Sequence, residues 1–249
     1  MKKIIKNIFA LFNIAIRSKS KLEKKLANSV SMSKWEYDIK FAIQIGSNLG
    51  PNFLKLMKLS KSQYRQDLFA LKELKIKKNG FFVEFGATDG VTGSNTFLLE
   101  KEFGYKGILA EPNPKQRKNI KKKRNAIIVE ECVWDKSGEN LKLTDNGDLS
   151  TIDLLENNKF SFTVKTISLT DMLEKHNAPS LIDYLSIDTE GSEFDILSTH
   201  DFSKYNFSVI TVEHNYTEQR EKIYKLLSQN GYIRKYKELS MQDDWYILP

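Results

Sequence analysis

From Ser62 to the end of the chain, short apolar runs alternate with helical patterns, and this alternation constrains the fold more than any other feature. "GFFVEF", "GILAE", "AIIVEECV", "LIDYLSID", "FSVITVEH", "GYIRKYK" and "DWYILP" predict strands. "NTFLLEKEF", "PKQRKNIKKKR", "LTDMLEKH" and "SEFDILSTH" predict helices between the first five, and "EQREKIYKLLSQN" predicts one after the fifth. Strand, helix, strand in repetition predicts a parallel sheet covered on both faces. The last two strands, joined by the polar "ELSMQD", predict an edge hairpin. Residues 134–165 break the rhythm and read as turns and loops, an excursion over the sheet's carboxyl edge.

Ligands of open α/β sheets bind at the carboxyl ends of the strands. The residues closing the strands here are Glu84 and Gly86, Glu111, Cys132 and Val133, Asp188 and Glu190, and Glu213 with His214. Acids dominate that edge. A dinucleotide fold wants G-x-G-x-x-G with a pyrophosphate on the helix N-terminus. In Gly86-Ala-Thr-Asp89-Gly90 the middle glycine is missing, and Asp89 would repel a pyrophosphate. These two features disfavour an NAD-dependent oxidoreductase. S-adenosylmethionine instead brings a sulfonium and an ammonium, which a nearby carboxylate attracts. Glu111 closes the second strand, where a carboxylate can accept hydrogen bonds from both ribose hydroxyls.

"SQYRQDLF", "GFFVEFGATDGVTGSNTFLLEK", "GILAEPNP", "STID", "ISLTDML", "YLSIDTEGSEFDIL" and "VITVEHNY" follow one another in an order that resembles the FkbM family of S-adenosylmethionine-dependent methyltransferases. The resemblance covers roughly residues 60–248. It implies the α/β class I (Rossmann-like) methyltransferase fold, a seven-stranded mostly parallel sheet with an antiparallel last strand, and an oxygen acceptor, often a sugar. It implies that Gly86, Asp89 and Gly90 line the methionine part of the cofactor and that Glu111 holds the ribose. Cys132 and Val133 then sit beside the adenine, and Gln63, Tyr64 and Asp67 close over the cofactor. Glu84 and Asp188 complete the expected cofactor set.

Methyl transfer to a hydroxyl requires alignment of the acceptor oxygen and removal of its proton. His214 follows the apolar run "FSVIT" and is expected at the catalytic edge as general base, with Asp188 and Glu213 as catalytic partners. If Asp188, Glu213 and His214 converge, they could hold a divalent cation such as magnesium that binds two vicinal hydroxyls. Ser94, Asn95, Thr96, Ser150 and Thr151, with Glu190 and Asn215, are the expected substrate contacts, because loops carrying hydroxyls and amides suit a carbohydrate. The expected acceptor is a small molecule or glycan, such as a nucleotide sugar or a capsule or lipopolysaccharide precursor. A lipid head group or protein acceptor, and a non-catalytic interaction module, are the alternatives.

Of the net charge of +7, residues 1–40 hold ten Lys/Arg and three Asp/Glu, so residues 41–249 carry 29 of each sign and sum to zero. Nucleic-acid binding by the main domain therefore loses its compositional support. Cys132 is the single cysteine, which excludes an internal disulfide and fits a cytoplasmic setting. "MKKIIKNIFALFNIAIR" places Ile5, Ile8, Phe9, Phe12 and Ile16 at helical spacing among lysines. Its uncharged stretch is too short to cross a bilayer. Residues 1–20 either lie on an anionic membrane surface or pack on this protein or on a second subunit of a homo-oligomer. The expected organisation is a basic helical extension over 1–58 and a methyltransferase domain over 59–249.

Overall fold

The structure, a computed structural model, describes residues 33–145, 150–152 and 161–249. Two units divide the chain between Gln44 and Ile45. The first contributes one described helix, α1 (Lys34–Gln44), opened by a capping box in which the Glu36 carboxylate accepts from the Ser33 backbone N–H (2.9 Å) and hydroxyl (2.7 Å). In the second unit a 3₁₀ turn (Gly46–Leu49) and α2 (Phe53–Leu59) precede α3 (Gln66–Glu73).

The main sheet then forms from β1 (Phe81–Phe85), β2 (Lys106–Ala110), β3 (Ile127–Val129), β8 (Leu181–Ile187), β9 (Asn206–Glu213), β10 (Ile233–Lys235) and β11 (Asp243–Ile247). Their order is β10-β11-β9-β8-β1-β2-β3. β1, β2, β3, β8 and β9 are mutually parallel, and β11 runs antiparallel between β9 and β10. The chain order reverses direction between β1 and β8, where the crevice of such a sheet opens. The connecting helices are α4 (Phe97–Phe103), α5 (Pro114–Lys123), α6 (Leu169–Lys175), α7 (Glu193–Ser198) and α8 (Gln219–Gln229).

Local chemistry sets these boundaries. Asn113 caps α5 by accepting from the Lys115 N–H, with Pro114 at the first helical position. Ser168 caps α6 through the Asp171 N–H, and Gly104 ends α4 in the left-handed conformation. β8 is buried at every position after Leu181, as expected of a central strand covered on both faces. Val83, Phe85, Ile108, Leu185, Ile210 and Val212 share one continuous apolar core with Met172, Ile196 and Leu227 of the helices. α3 docks through Phe69, which stacks on Trp245 of β11 at 4.7 Å between ring centroids.

Two expectations are corrected. The run "AIIVEECV" is not one strand: β3 stops at Val129, and β4 (Cys132–Trp134) pairs in parallel with β7 (Ser161–Ser168) instead. The charged Glu130 and Glu131 between them turn outward, to Arg117 and Lys121 and to Lys175 respectively. The segment 134–165 is also not simply loop. β5 (Asn140–Asp145) pairs antiparallel with β7 and with β6 (Ser150–Ile152), giving a second sheet of order β4-β7-β5-β6.

Gly86 closes the gap between β1 and β8. Its φ is +80°, and a Cβ there would lie 2.0 Å from the Asp188 carbonyl oxygen. Gly86→Ala is expected to cost roughly 2–4 kcal/mol of stability, since it adds a backbone clash to a disfavoured dihedral. Chemical denaturation of the variant checks this.

Candidate active site at the carboxyl edge

β1 delivers Gly86 to Gly90 as a turn in which Gly86, Thr88 and Gly90 all have positive φ. Asp89 holds this turn. Its Oδ1 accepts from the N–H groups of Val91 (2.9 Å) and Thr92 (2.7 Å), and its Oδ2 pairs with Lys123 Nζ at 2.8 Å. These hydrogen bonds and the lysine outweigh a partial desolvation and lower the Asp89 pKa. Asp89 is thus held ionised in the turn, with Lys123 beside it.

Beneath the turn lies a buried ion network. The Arg124 side chain is fully buried and donates to the Gly90 carbonyl (2.9 Å), Ser94 Oγ (3.0 Å), Thr96 Oγ1 (2.9 Å) and Glu100 Oε2 (2.8 Å). Glu84 of β1 accepts from Ser94 Oγ, the Asn95 N–H and Thr96 Oγ1. Asn95 in turn donates to Ser186 Oγ. Glu84 is thus a structural acceptor and not a cofactor ligand. Ser94, Asn95 and Thr96 are at most 7% exposed, and both hydroxyls are engaged, so they are not substrate contacts. Ser150 and Thr151 lie on β6, with their side chains outside the described residues.

At the end of β2, Glu111 is buried, and its Oε1 accepts from the Asn113 N–H. Cys132 is close enough that Glu111, together with burial as the larger cause, pushes the thiol up to about 12. Glu111, Cys132 and Val133 therefore share one end of the edge, as expected, although β4 and not β3 supplies the last two.

The opposite end is acidic. One oxygen each from Asp188, Glu190 and Glu213 lies within 4.8 Å of the others. Asp188 and Glu213 lie together at the ends of β8 and β9, and two carboxyls brought this close disfavour the doubly ionised state. Burial first, and then neighbouring carboxylates, raise both pKa values. Glu213 Oε2 is buried with no hydrogen-bond partner. Asp243, at the start of β11, is fully buried and pushed up to about 8 by desolvation, with Gln66 Nε2 donating at 2.7 Å. Tyr64 is half-buried nearby, its hydroxyl pKa raised by burial and by Asp243. Glu193 accepts from the Thr189 N–H, Thr189 Oγ1 and the Gly191 N–H, and so fixes the loop that carries Glu190.

His214 is corrected most sharply. It is 3% exposed; Nδ1 accepts from the Tyr216 N–H at 2.9 Å, and Nε2 therefore carries the proton and donates to the Asp243 carbonyl at 3.0 Å. Burial lowers its pKa to about 4. With both nitrogens committed to backbone it is neither a general base nor a metal ligand. Glu190 takes its place in the acidic cluster. Asn215 is exposed beside it, with φ +45°. Asp67 is also corrected: it is wholly buried and bonded to Ser60 and the Leu68 N–H, away from any ligand surface. Burial pushes its carboxyl up to about 6. Exposed Gln63 donates to the Tyr64 hydroxyl.

Sequence reasoning missed Arg124, Gln66, Asp243 and Tyr216. Arg124 hides in a lysine run that reads as a solvated face, and Asp243 sits in what reads as a hairpin turn.

The strand order, the single antiparallel strand inserted beside β9, and a glycine turn after β1 define a class I methyltransferase. The FkbM methyltransferase domain model matches residues 84–234, more than half of the chain, and the chain belongs to that family. It is therefore an S-adenosylmethionine-dependent methyltransferase. No curated protein matches it. Among solved structures it is similar to a precorrin-6y C5,15-methyltransferase from Geobacter metallireducens, with 15% identity and TM-score 0.43 over 76% of this chain and 89% of that one. It is also similar to a TehB-like SAM-dependent methyltransferase from Corynebacterium glutamicum, with 9% identity and TM-score 0.41 over 82% and 97%.

The Arg124 network carries a prediction. Arg124→Met strands Glu84 and Glu100 in the interior and is expected to cost about 3–5 kcal/mol. Arg124→Lys keeps the charge but loses the fork that reaches Gly90, Ser94 and Thr96, so it should recover only part of that loss. Denaturation midpoints of the two variants check the ranking.

Proposed function

We propose that the protein methylates a hydroxyl of a sugar acceptor, with the Asp188–Glu213 pair as the proton acceptor. The observation that carries this reading is the convergence of Asp188 and Glu213 at the ends of β8 and β9, both raised in pKa by burial and by neighbouring carboxylates, with Glu213 Oε2 buried and unpartnered. S-adenosylmethionine supplies an electrophilic methyl group on a sulfonium that departs as a neutral thioether. The donor set suits it: Glu111 for ribose hydroxyls at one end, and a cluster of acids for a cationic centre at the other. The work left to the protein is to orient the acceptor oxygen and take its proton. The deprotonated member of the pair takes that proton, while Glu190, Asp243 and Tyr64 offer hydrogen bonds to neighbouring hydroxyls. A lining of carboxyls and a tyrosine supports a polyhydroxylated acceptor over an apolar one. Nucleotide sugars and capsule or lipopolysaccharide precursors on the cytoplasmic side are the acceptor pool we propose.

A second reading places a divalent cation on Asp188, Glu190 and Glu213, favoured by their three converging oxygens. An all-oxygen donor set suits magnesium and not zinc.

Incubation with labelled S-adenosylmethionine and a panel of nucleotide sugars and glycans, with and without EDTA, tests both readings. Label transfer that survives EDTA supports the carboxyl pair, and transfer abolished by it supports the cation. Label appearing only on lipid or protein would remove the sugar. Glu213→Gln is expected to lower turnover by roughly 10²–10⁴-fold in a methylation assay at saturating donor, the size of a general-base contribution. The pH dependence has a definite sign. Both carboxyls have raised pKa values, so they hold protons to higher pH than free carboxyls. The base form is lost as pH falls, and turnover should climb with pH through the neutral range. In Glu213→Gln the remaining Asp188, relieved of its like-charged neighbour, should shift that limb to lower pH.

A further inference from the structure

On α1, Trp35, Ile39 and Ile43 recur every fourth residue and are 65%, 51% and 76% exposed. Tyr37 and Phe41, at the same spacing on the other side of the helix, are buried. A single exposed apolar side chain needs no explanation, but three in register form a continuous stripe about 12 Å long at the helical rise. One end of the stripe is a tryptophan, the side chain best suited to the boundary between water and hydrocarbon.

The charge distribution indicates what covers the stripe. Residues 1–32, which run directly into Ser33 at the start of α1, hold eight Lys/Arg and one Asp/Glu. Residues 33–249 therefore hold 31 of each sign (39 less 8, and 32 less 1). The whole positive excess of the protein is confined to the stretch immediately preceding the stripe. α1 itself is neutral, with Lys34 and Lys40 against Glu36 and Asp38. Attraction and insertion are thus assigned to adjacent pieces of chain: a basic stretch that attracts anions, then an apolar face with no net charge to oppose burial. A second copy of this chain would bring the same positive excess to the interface and repel it. We infer that the Trp35–Ile39–Ile43 face of α1 docks in the interface of an anionic lipid bilayer, drawn there by the basic residues before it. No helix among the described residues is long and apolar enough to cross a membrane.

The test is flotation of the full-length protein with vesicles of phosphatidylcholine alone or with about 30% phosphatidylglycerol, the range in which surface charge dominates basic-segment binding. The protein should float with the anionic vesicles and not with the neutral ones, and less so in high salt. A Trp35→Ser/Ile39→Ser/Ile43→Ser variant should lose roughly tenfold or more of that binding, since the apolar contribution is removed and the charge kept. Binding unchanged in the variant would overturn the inference and leave the basic stretch as the only contact. A variant that turns an oligomer into a monomer, by light scattering without vesicles, would overturn it in favour of a second copy. A variant with a lowered melting temperature would overturn it in favour of cover by another part of this chain. None of these outcomes depends on methyl transfer.

Discussion

Removing carboxylates from water where parallel strands end is the constraint around which this structure is organised, and the four acids at the ends of β8, β9 and β11 meet it in three ways. Asp244 is compensated by ion pairing: Arg220 grips it through two nitrogens at 2.9 and 2.7 Å, and Arg234 adds a third contact at 3.0 Å. Asp243 accepts from the neutral Gln66 amide, and burial pushes its carboxyl up to about 8. Asp188 and Glu213 have no cation beside them among the described residues, and burial with neighbouring carboxylates raises both pKa values. The charge on this edge is therefore unresolved at one place only among the described residues. A cationic donor, a metal ion or a hydroxyl proton in transit would each relieve it, and that place is where methyl transfer needs such a group.

On the far side of β1 the same problem is solved completely. Glu84 and Glu100 are both nearly buried, and one guanidinium serves them while its remaining donors reach the Gly90 carbonyl and two hydroxyls. A lysine offers one point charge and could not span these partners. The aliphatic stem of Arg124 also lies where a Cβ on Gly90 would fall, at 3.1 Å. The turn after β1 is thus supported from below by Arg124 and held laterally by Asp89 and Lys123.

The main sheet was legible because its strands are nearly continuous apolar runs, a pattern that buried parallel strands impose on the sequence. The second sheet was not. β5 and β7, "NLKLTD" and "SFTVKTIS", do alternate polar and apolar residues as half-buried strands do, but the turn residues of "DKSGEN" and "DNGDLSTID" around them masked that signal. The carboxyl edge was legible as a set of positions, because strand ends follow from the strands. Their roles were not, because a role depends on what each side chain touches. Asp188 and Glu213 converge, with Glu190 standing where His214 was expected. Asp89, His214, Glu84 and Ser94 were read from residue type and place alone, and each turns out to be spent on backbone or on buried partners.

The fate of His214 follows a rule shared by the whole edge. The loops leaving β1, β8 and β9 each contain non-glycine residues in the left-handed region: Thr88 at +43°, Glu190 at +59°, and Asn215 and Tyr216 at +45° and +56°. Such residues cost on the order of 1 kcal/mol or more each and persist only where the surroundings fix them. In each loop one side chain supplies that fixing by accepting backbone N–H groups. Asp89 takes Val91 and Thr92, Glu193 takes Thr189 and Gly191, and His214 takes Tyr216. An acid and a histidine at strand ends look like catalytic groups, yet here they are caps that hold strained turns in shape. What they hold in place is the remainder: Glu190 is turned toward Asp188 and Glu213 because Glu193 pins the loop beneath it.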